Sequence, residues 1–247
     1  MSAPRRRLRA PDILHLDGEL LVVDKPPGVL LTPQSGQQLG LPDLLSGRAE
    51  LAADEPFRIV HRLPEQASGV VVYARTAAAQ RNLIEQFAQG QASVIYFSLV
   101  SGYVEDDGET DIPLYYDKRA GKLCASDRRG NHAVTRYRIV ERVAGNTLLE
   151  CRAPKERFDQ VRTHLAAIGH PLTVDPEFGG GSAVLLSDYK PDYRPSGRRP
   201  ERPLVERLTL HAASASLAHP TSGKPMQFAA PLPKDLRATL FQLGRLR

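Results

Sequence analysis

The stretch Val70-Val71-Val72-Tyr73-Ala74 most constrains the fold, because β-branched and aromatic side chains in an unbroken run suit a buried strand. It has company. Ile13-Leu14-His15-Leu16 and Leu20-Leu21-Val22-Val23 flank Asp17-Gly18, a dipeptide suited to a hairpin turn, and Lys25-Pro26-Pro27-Gly28 then breaks the second run. Residues 93–100, 133–143 and 204–215 have strand character as well. Two segments read as helices. Residues 76–89 have Thr76 as N-cap, Leu83, Ile84 and Phe87 on one face, and Gly90 as the stop. Residues 162–168 form a shorter one closed by Gly169. The expectation is one β-rich α+β domain over residues 12–247, with no internal repeat and no second core. A basic tail at 1–11 precedes it, and a basic Pro-rich loop at 186–203 interrupts it without regular structure.

Bulk chemistry narrows the function classes. Of 247 residues, 41% are hydrophobic and 25% charged, as in ordinary globular chains. The net charge of +5 leans towards a polyanionic partner. Cys124 and Cys151 make no metal pattern and no disulfide scaffold, which fits a reducing compartment. No run approaches the ~18 apolar residues of a membrane span. Arg5, Arg6, Arg7 and Arg9 are followed by no apolar segment of a secretory signal, so a cytoplasmic chain without membrane contact is expected. His164 and His170 lack the companions of a zinc site. Gly179-Gly180-Gly181 lacks the Lys-Ser/Thr of a phosphate loop, and no G-x-S-x-G elbow occurs. Taken singly, His61-Arg62 reads as a surface turn, Tyr96 as a core aromatic, and Arg162 with His164 as a solvated helix face.

Six segments in order change that reading. They are Val22-Val23-Asp24-Lys25-Pro26-Pro27-Gly28; His61-Arg62-Leu63-Pro64-Glu65-Gln66-Ala67-Ser68-Gly69; Tyr96-Phe97-Ser98-Leu99-Val100-Ser101-Gly102; Gly130-Asn131-His132-Ala133-Val134-Thr135-Arg136-Tyr137; the stretch from Arg157-Phe158-Asp159-Gln160-Val161-Arg162-Thr163-His164 to Gly169-His170-Pro171 with Asp175-Pro176; and Leu210-His211-Ala212 with His219-Pro220-Thr221-Ser222-Gly223-Lys224-Pro225. Together they resemble RluA-like pseudouridine synthases, which modify structured RNA. The resemblance covers roughly residues 12–233. It implies a largely antiparallel mixed sheet with flanking helices and a central RNA-binding cleft, no cofactor and no metal, a monomer, and ribosomal or transfer RNA as partner. About eleven residues precede the first strand, so the small N-terminal RNA-binding domain of many relatives is not expected.

The resemblance also implies a site: an ionised Asp in an H-R-L-D motif, a basic residue paired with it, and a Tyr against the base. A carboxylate can act there as nucleophile or base, and an Arg keeps it ionised and aimed. Tyr96 and Arg162 match two of these positions, and Arg62 matches the Arg beside the flipped nucleotide, giving an expected nucleotide pocket of Arg62, Tyr96 and Arg162. Pro64 stands in the slot of the Asp. Proline carries no ionisable group. Further departures cluster nearby: Gln66 and Ala67 before the Ser-Gly, and Arg157-Phe158-Asp159-Gln160 in place of R-T-H-Q. The preferred expectation is therefore an RNA-binding homologue with impaired catalysis. The alternatives are an active isomerase using Glu65 or Asp159, and a protein-interaction module that keeps only the fold. Arg162, deprived of the Asp, is expected to point into the cleft and pair with Asp159 or Glu65, with Glu156 as a further candidate. Lys118, Arg119, Lys122, Arg128 and Arg129 are expected to extend the RNA-binding face on the cleft side.

Overall fold

The computed structural model describes residues 10–33, 40–48, 51, 57–194 and 200–246. The arginines of the tail and residues 195–199 of the Pro-rich loop lie outside these.

The chain opens with strand β1 (Asp12–Leu16) and strand β2 (Leu20–Lys25), paired antiparallel. The Asp17 carboxylate closes their turn by accepting from the main-chain N–H of Glu19 and of Leu20, both at 2.8 Å. Helix α1 (Leu41–Leu45), β3 (Arg58–Ile59), β4 (Ser68–Ala74), α2 (Ala77–Gln89), β5 (Ser93–Ser101) and β6 (Gly108–Thr110) follow. Next come β7 (Leu114–Asp117), β8 (Lys122–Ala125), β9 (Thr135–Val143), β10 (Asn146–Arg152) and α3 (Gln160–Ala167). The chain closes with β11 (Leu210–Ala218), β12 (Pro225–Ala229) and α4 (Lys234–Gly244).

Among the described residues, ten strands form one sheet in the order β1-β2-β4-β11-β5-β10-β9-β6, with β3 on β4 and β12 on β11. Strands β7 and β8 make a separate hairpin. Every pairing in the sheet is antiparallel except β4 with β11. This is the α+β sheet expected. The parallel contact is short, His211 opposite Ser68 and Ala212 opposite Gly69. It is also close: a Cβ on Gly69, whose φ is +112°, would stand 2.1 Å from the Ala212 carbonyl oxygen. Only glycine lets the segment 61–69 end against the middle of the sheet.

Helix α2 begins where the Thr76 hydroxyl accepts from the Ala79 N–H at 3.1 Å and ends at Gly90 in the left-handed region. Its buried face is Ala79, Leu83 and Gln86, while Ile84, expected beside Leu83, is 47% exposed. Adjacent helix positions lie ~100° apart, so one sheet-facing stripe holds one of the two.

Three further expectations are corrected. Buried apolar residues form two clusters, not one core. Val100 and Leu149 join the larger, Leu99 and Leu148 the smaller, in which α4 packs, because successive strand side chains point to opposite faces. The Pro-rich segment contains one turn of 3-10 helix at Leu186–Asp188. The last long strand starts at Leu210 rather than Leu204, since Val205 makes only an isolated bridge to Val184.

Candidate active site

Three elements converge at the N-terminus of α3. The first is the loop 61–67, held at two points. Gly69 fixes one. At the other, the fully buried Lys25 ammonium donates to the carbonyls of Glu65 at 2.7 Å, Val29 at 2.8 Å and Pro26 at 3.1 Å, and Gly28 N–H donates to the same Glu65 oxygen at 2.9 Å. Burial pulls the Lys25 amine down to about 7, with the Glu65 charge opposing. The second element is β5, where Tyr96 is locked between Cys151 of β10 and Ala212 of β11. The third is α3 itself. Gln160 anchors it by donating to the Val134 carbonyl at 2.8 Å, and the fully buried His164 bridges the Thr135 hydroxyl at 2.8 Å and the Ile112 carbonyl at 2.9 Å. His164 is thus a packing residue on a buried face, not part of a solvated one.

Arg162 points into this junction, 7% exposed. Its Nη1 donates to Asp159 Oδ1 at 2.6 Å, as expected. Two further partners were not foreseen. Asp175 accepts from Nε and Nη2, both at 2.8 Å, and Glu177 accepts from Nη2 at 3.0 Å. The guanidinium also lies 4.4 Å over the Phe178 ring. Burial opposes its charge, but Asp175 and Asp159 overcome that and hold it protonated more firmly than an ordinary arginine. Glu65 is not among the partners. It lines the cavity beyond Pro64 instead. The only trace of Asp175 in the sequence was the Asp-Pro dipeptide, which carried no role.

Asp159 precedes α3 with φ +63°, in the left-handed region that non-glycine residues seldom occupy. It makes no side-chain cap, because its carboxylate is turned to Arg162. Burial lifts its pKa above the ordinary carboxylate range against the pull of Arg162.

Tyr96 is 1% exposed, and its hydroxyl donates to Glu156 Oε2 at 2.8 Å. Glu156 is half-buried as a residue, but its carboxyl end sits at this buried hydroxyl. Burial pushes its pKa up to about 8, and the Asp159 charge adds to that. Burial and then Glu156 raise Tyr96 well above the ordinary phenol.

Arg62, Pro64, Tyr96, Glu156, Asp159 and Arg162 do line one space. Its volume is only ≈10 Å³, about what one water needs. The open nucleotide pocket expected against Tyr96 is therefore closed, and the open volume lies on either side. A cavity of ≈580 Å³ opens beyond Pro64 and Arg162. On the α2 side, cavities of ≈320 Å³ and ≈660 Å³ share Phe87 and Glu156.

The five expected RNA-binding cations divide. Lys122 reaches the cleft, donating to the Glu177 carbonyl at 2.5 Å and lying 4.9 Å over Phe178. Arg129 stacks on Tyr115 at 3.8 Å and is not among the residues lining the Arg162 cavities. Lys118 and Arg119 occupy the exposed turn of the β7–β8 hairpin, and Arg128 the exposed loop after it. Among the described residues no group of three or more His, Cys, Asp or Glu is placed to hold a metal ion, and no helix is long and apolar enough to cross a membrane.

Comparison with known proteins gives a consistent answer. A family model described as RNA pseudouridylate synthase matches residues 19–167. The ribosomal large subunit pseudouridine synthase D of Xanthomonas campestris is 35% identical over 234 residues, covering 94% of this chain and 69% of the relative. Its namesake in Nitrosomonas europaea is 35% identical over 236 residues, covering 95% and 65%. The chain thus spans about two thirds of the length of these relatives. In the solved structure of human RNA pseudouridylate synthase domain containing 1, 84% of that chain superposes on 90% of this one, with a TM-score of 0.67 at 22% identity, which establishes the shared fold.

Proposed function

The chain belongs to the RNA pseudouridylate synthase family, and from that premise we propose that it binds structured RNA through its cleft without isomerising uridine. One observation carries the reading. Where Tyr96, Arg162 and the slot of Pro64 meet, only ≈10 Å³ is left. No uracil can lie against Tyr96 there unless Glu156 leaves its hydroxyl. The chemistry agrees. Isomerisation breaks the N–C glycosidic bond and rejoins the base through carbon, so the sugar needs a carboxylate facing it. Pro64 offers none. The guanidinium that would aim such a group is already engaged by Asp175, Asp159 and Glu177. Because the two bacterial relatives carry names from the large ribosomal subunit, ribosomal RNA is the first substrate to test.

A second reading has its own support. Asp159 places a carboxylate 2.6 Å from Arg162 on the wall shared with Tyr96. It would serve as a relocated catalytic carboxylate if the site opened on RNA. Glu65 has weaker support, since its main-chain oxygen anchors the Gly28 turn and it lines the ≈580 Å³ cavity rather than the junction with Tyr96.

The deciding experiment incubates the full chain with unmodified ribosomal and transfer RNA and maps pseudouridine, beside Pro64→Asp and Asp159→Asn. The proposal expects RNA retention in filter binding with a steep salt slope, and no pseudouridine above background from the native sequence. Pseudouridine formed by the native chain and abolished by Asp159→Asn would establish the second reading instead. No RNA retention at low salt would refute both.

A further inference from the structure

The two sides of the closed junction differ in charge. On the Pro64 side, the acidic residues Glu65, Asp159, Asp175, Glu177 and Glu206 are among those lining the ≈580 Å³ cavity. The two arginines on its wall do not offset them. Arg162 is shared among three carboxylates, and Arg207 is held bidentate by Asp235 with both contacts at 2.8 Å. A phosphate chain entering there meets net negative charge.

On the α2 side the balance reverses. The ≈320 Å³ cavity runs from Arg62 and His61 past Phe158 to Phe87, and the ≈660 Å³ cavity continues from Phe87 along α2 to His132 and Arg136. Arg62, Lys155 and Arg157 line these walls and make no ion pair among the described residues. Arg157 spends its guanidinium on the carbonyls of Leu114, Asn131 and His132, which leaves its charge uncompensated. Arg136 is paired with Glu109 at 3.0 Å, both side chains well exposed. Glu156 is the one carboxylate of the two linings, and its elevated pKa keeps much of it neutral near pH 7. The floor is apolar: Phe87, Ala88 and Pro154, with Ile84 and Phe158 exposed at 47% and 44%. Exposed apolar and aromatic surface beside unpaired cations is the chemistry that binds single strands, with bases on the flat faces and phosphates on the rim.

We propose that this trough, from Arg62 along α2 to Arg136, holds an unpaired RNA strand flanking the cleft, and that the strand does not leave by the acidic Pro64 side. The proposal rests on the RNA-binding reading and adds a path to it. It also moves the main RNA contact from the β7–β8 hairpin, where the sequence put it, to the flank of α2. Ile84 and Lys155 are suitable probes, since both are exposed, lie outside the Arg162–Tyr96 junction, and make no side-chain hydrogen bond or ion pair among the described residues.

The test measures equilibrium binding of the full chain to an unstructured oligoribonucleotide and to a stem-loop with single-stranded flanks, at several salt concentrations. The variants are Ile84→Glu, Lys155→Ala and, as a charge control on α4, Phe241→Glu, which is 64% exposed. Ile84→Glu is expected to weaken binding by roughly tenfold or more, because it sets a carboxylate on the apolar wall beside the phosphate path. Lys155→Ala should lower the slope of log affinity against log salt by about one. Phe241→Glu should bind as the native chain does. Photo-crosslinking with 4-thiouridine in the flank should mark peptides of α2. Native-like binding by both trough variants, or crosslinks confined to residues 118–129, would overturn the trough while leaving RNA binding intact. A native chain that binds no RNA would overturn the function itself.

Discussion

Asp175→Asn is the sharpest test of how the junction is held. Asp175 is 1% exposed and takes two of the four hydrogen bonds that Arg162 donates to carboxylates. Asparagine keeps the shape but removes the charge, and its amide nitrogen must face a donor. Breaking a buried ion pair commonly costs ~3–5 kcal/mol. Here Asp159 at 2.6 Å and Glu177 at 3.0 Å remain, so the expected loss is roughly 2–3 kcal/mol, below that range. For a domain of this size that is a fall in Tm of about 4–12 °C. Guanidinium chloride unfolding should show a lower midpoint at unchanged slope. Glu177→Gln is the internal comparison. Its carboxylate is 51% exposed, and exposed pairs contribute only ~0–1 kcal/mol. If Asp175→Asn costs no more than Glu177→Gln, the guanidinium does not depend on its buried partner, and the account of a saturated Arg162 fails.

Three further outcomes follow from the same geometry. Glu156 has a pKa raised from 4.5 to about 8, so the stability it contributes is complete below the ordinary glutamate range and is lost as pH rises through about 8. Glu156→Gln should flatten the fall of the urea midpoint between mildly acidic and mildly alkaline pH, and an unchanged fall would show that another group titrates. Lys25→Met strips donors from three carbonyls, at ~1–3 kcal/mol for each buried group left unsatisfied. Because two of those carbonyls belong to Glu65 and Val29, hydrogen exchange should quicken at the amides of Gly28 and Ala67, and native protection at both would mean that Lys25 does not hold the loop. Pro64→Asp should add no pseudouridine synthesis while Asp159 retains Arg162, and activity appearing with that single change would show that the site is closed by Pro64 alone.

Much of the fold was legible because its signals are local. The Thr76 cap, the Gly90 stop, the turn at Asp17 and the runs of β2 and β4 each rest on residues within one helical turn or one hairpin. The conformation of each is set by neighbours in the chain, with no distant segment needed. The matched motifs likewise carried the family and the presence of Arg62, Tyr96 and Arg162 at one junction. What the junction contains was decided elsewhere. Arg162 takes its strongest partner from Asp175, thirteen residues on, and Tyr96 gives its hydroxyl to Glu156, sixty residues on. The left-handed turn at Asp159 aims a carboxylate that would otherwise be read as a helix cap. The pairing of β4 with β11 brings residues 68 and 211 together across most of the chain. Charge works the same way: arginines dispersed through the sequence gather on the α2 flank, while carboxylates gather around Arg162. A sequence pattern fixes the period and direction of each element. Which side chains meet, how much space they leave and which charges share a wall depend on how the elements pack, and the packing of distant segments is a property of the folded chain alone.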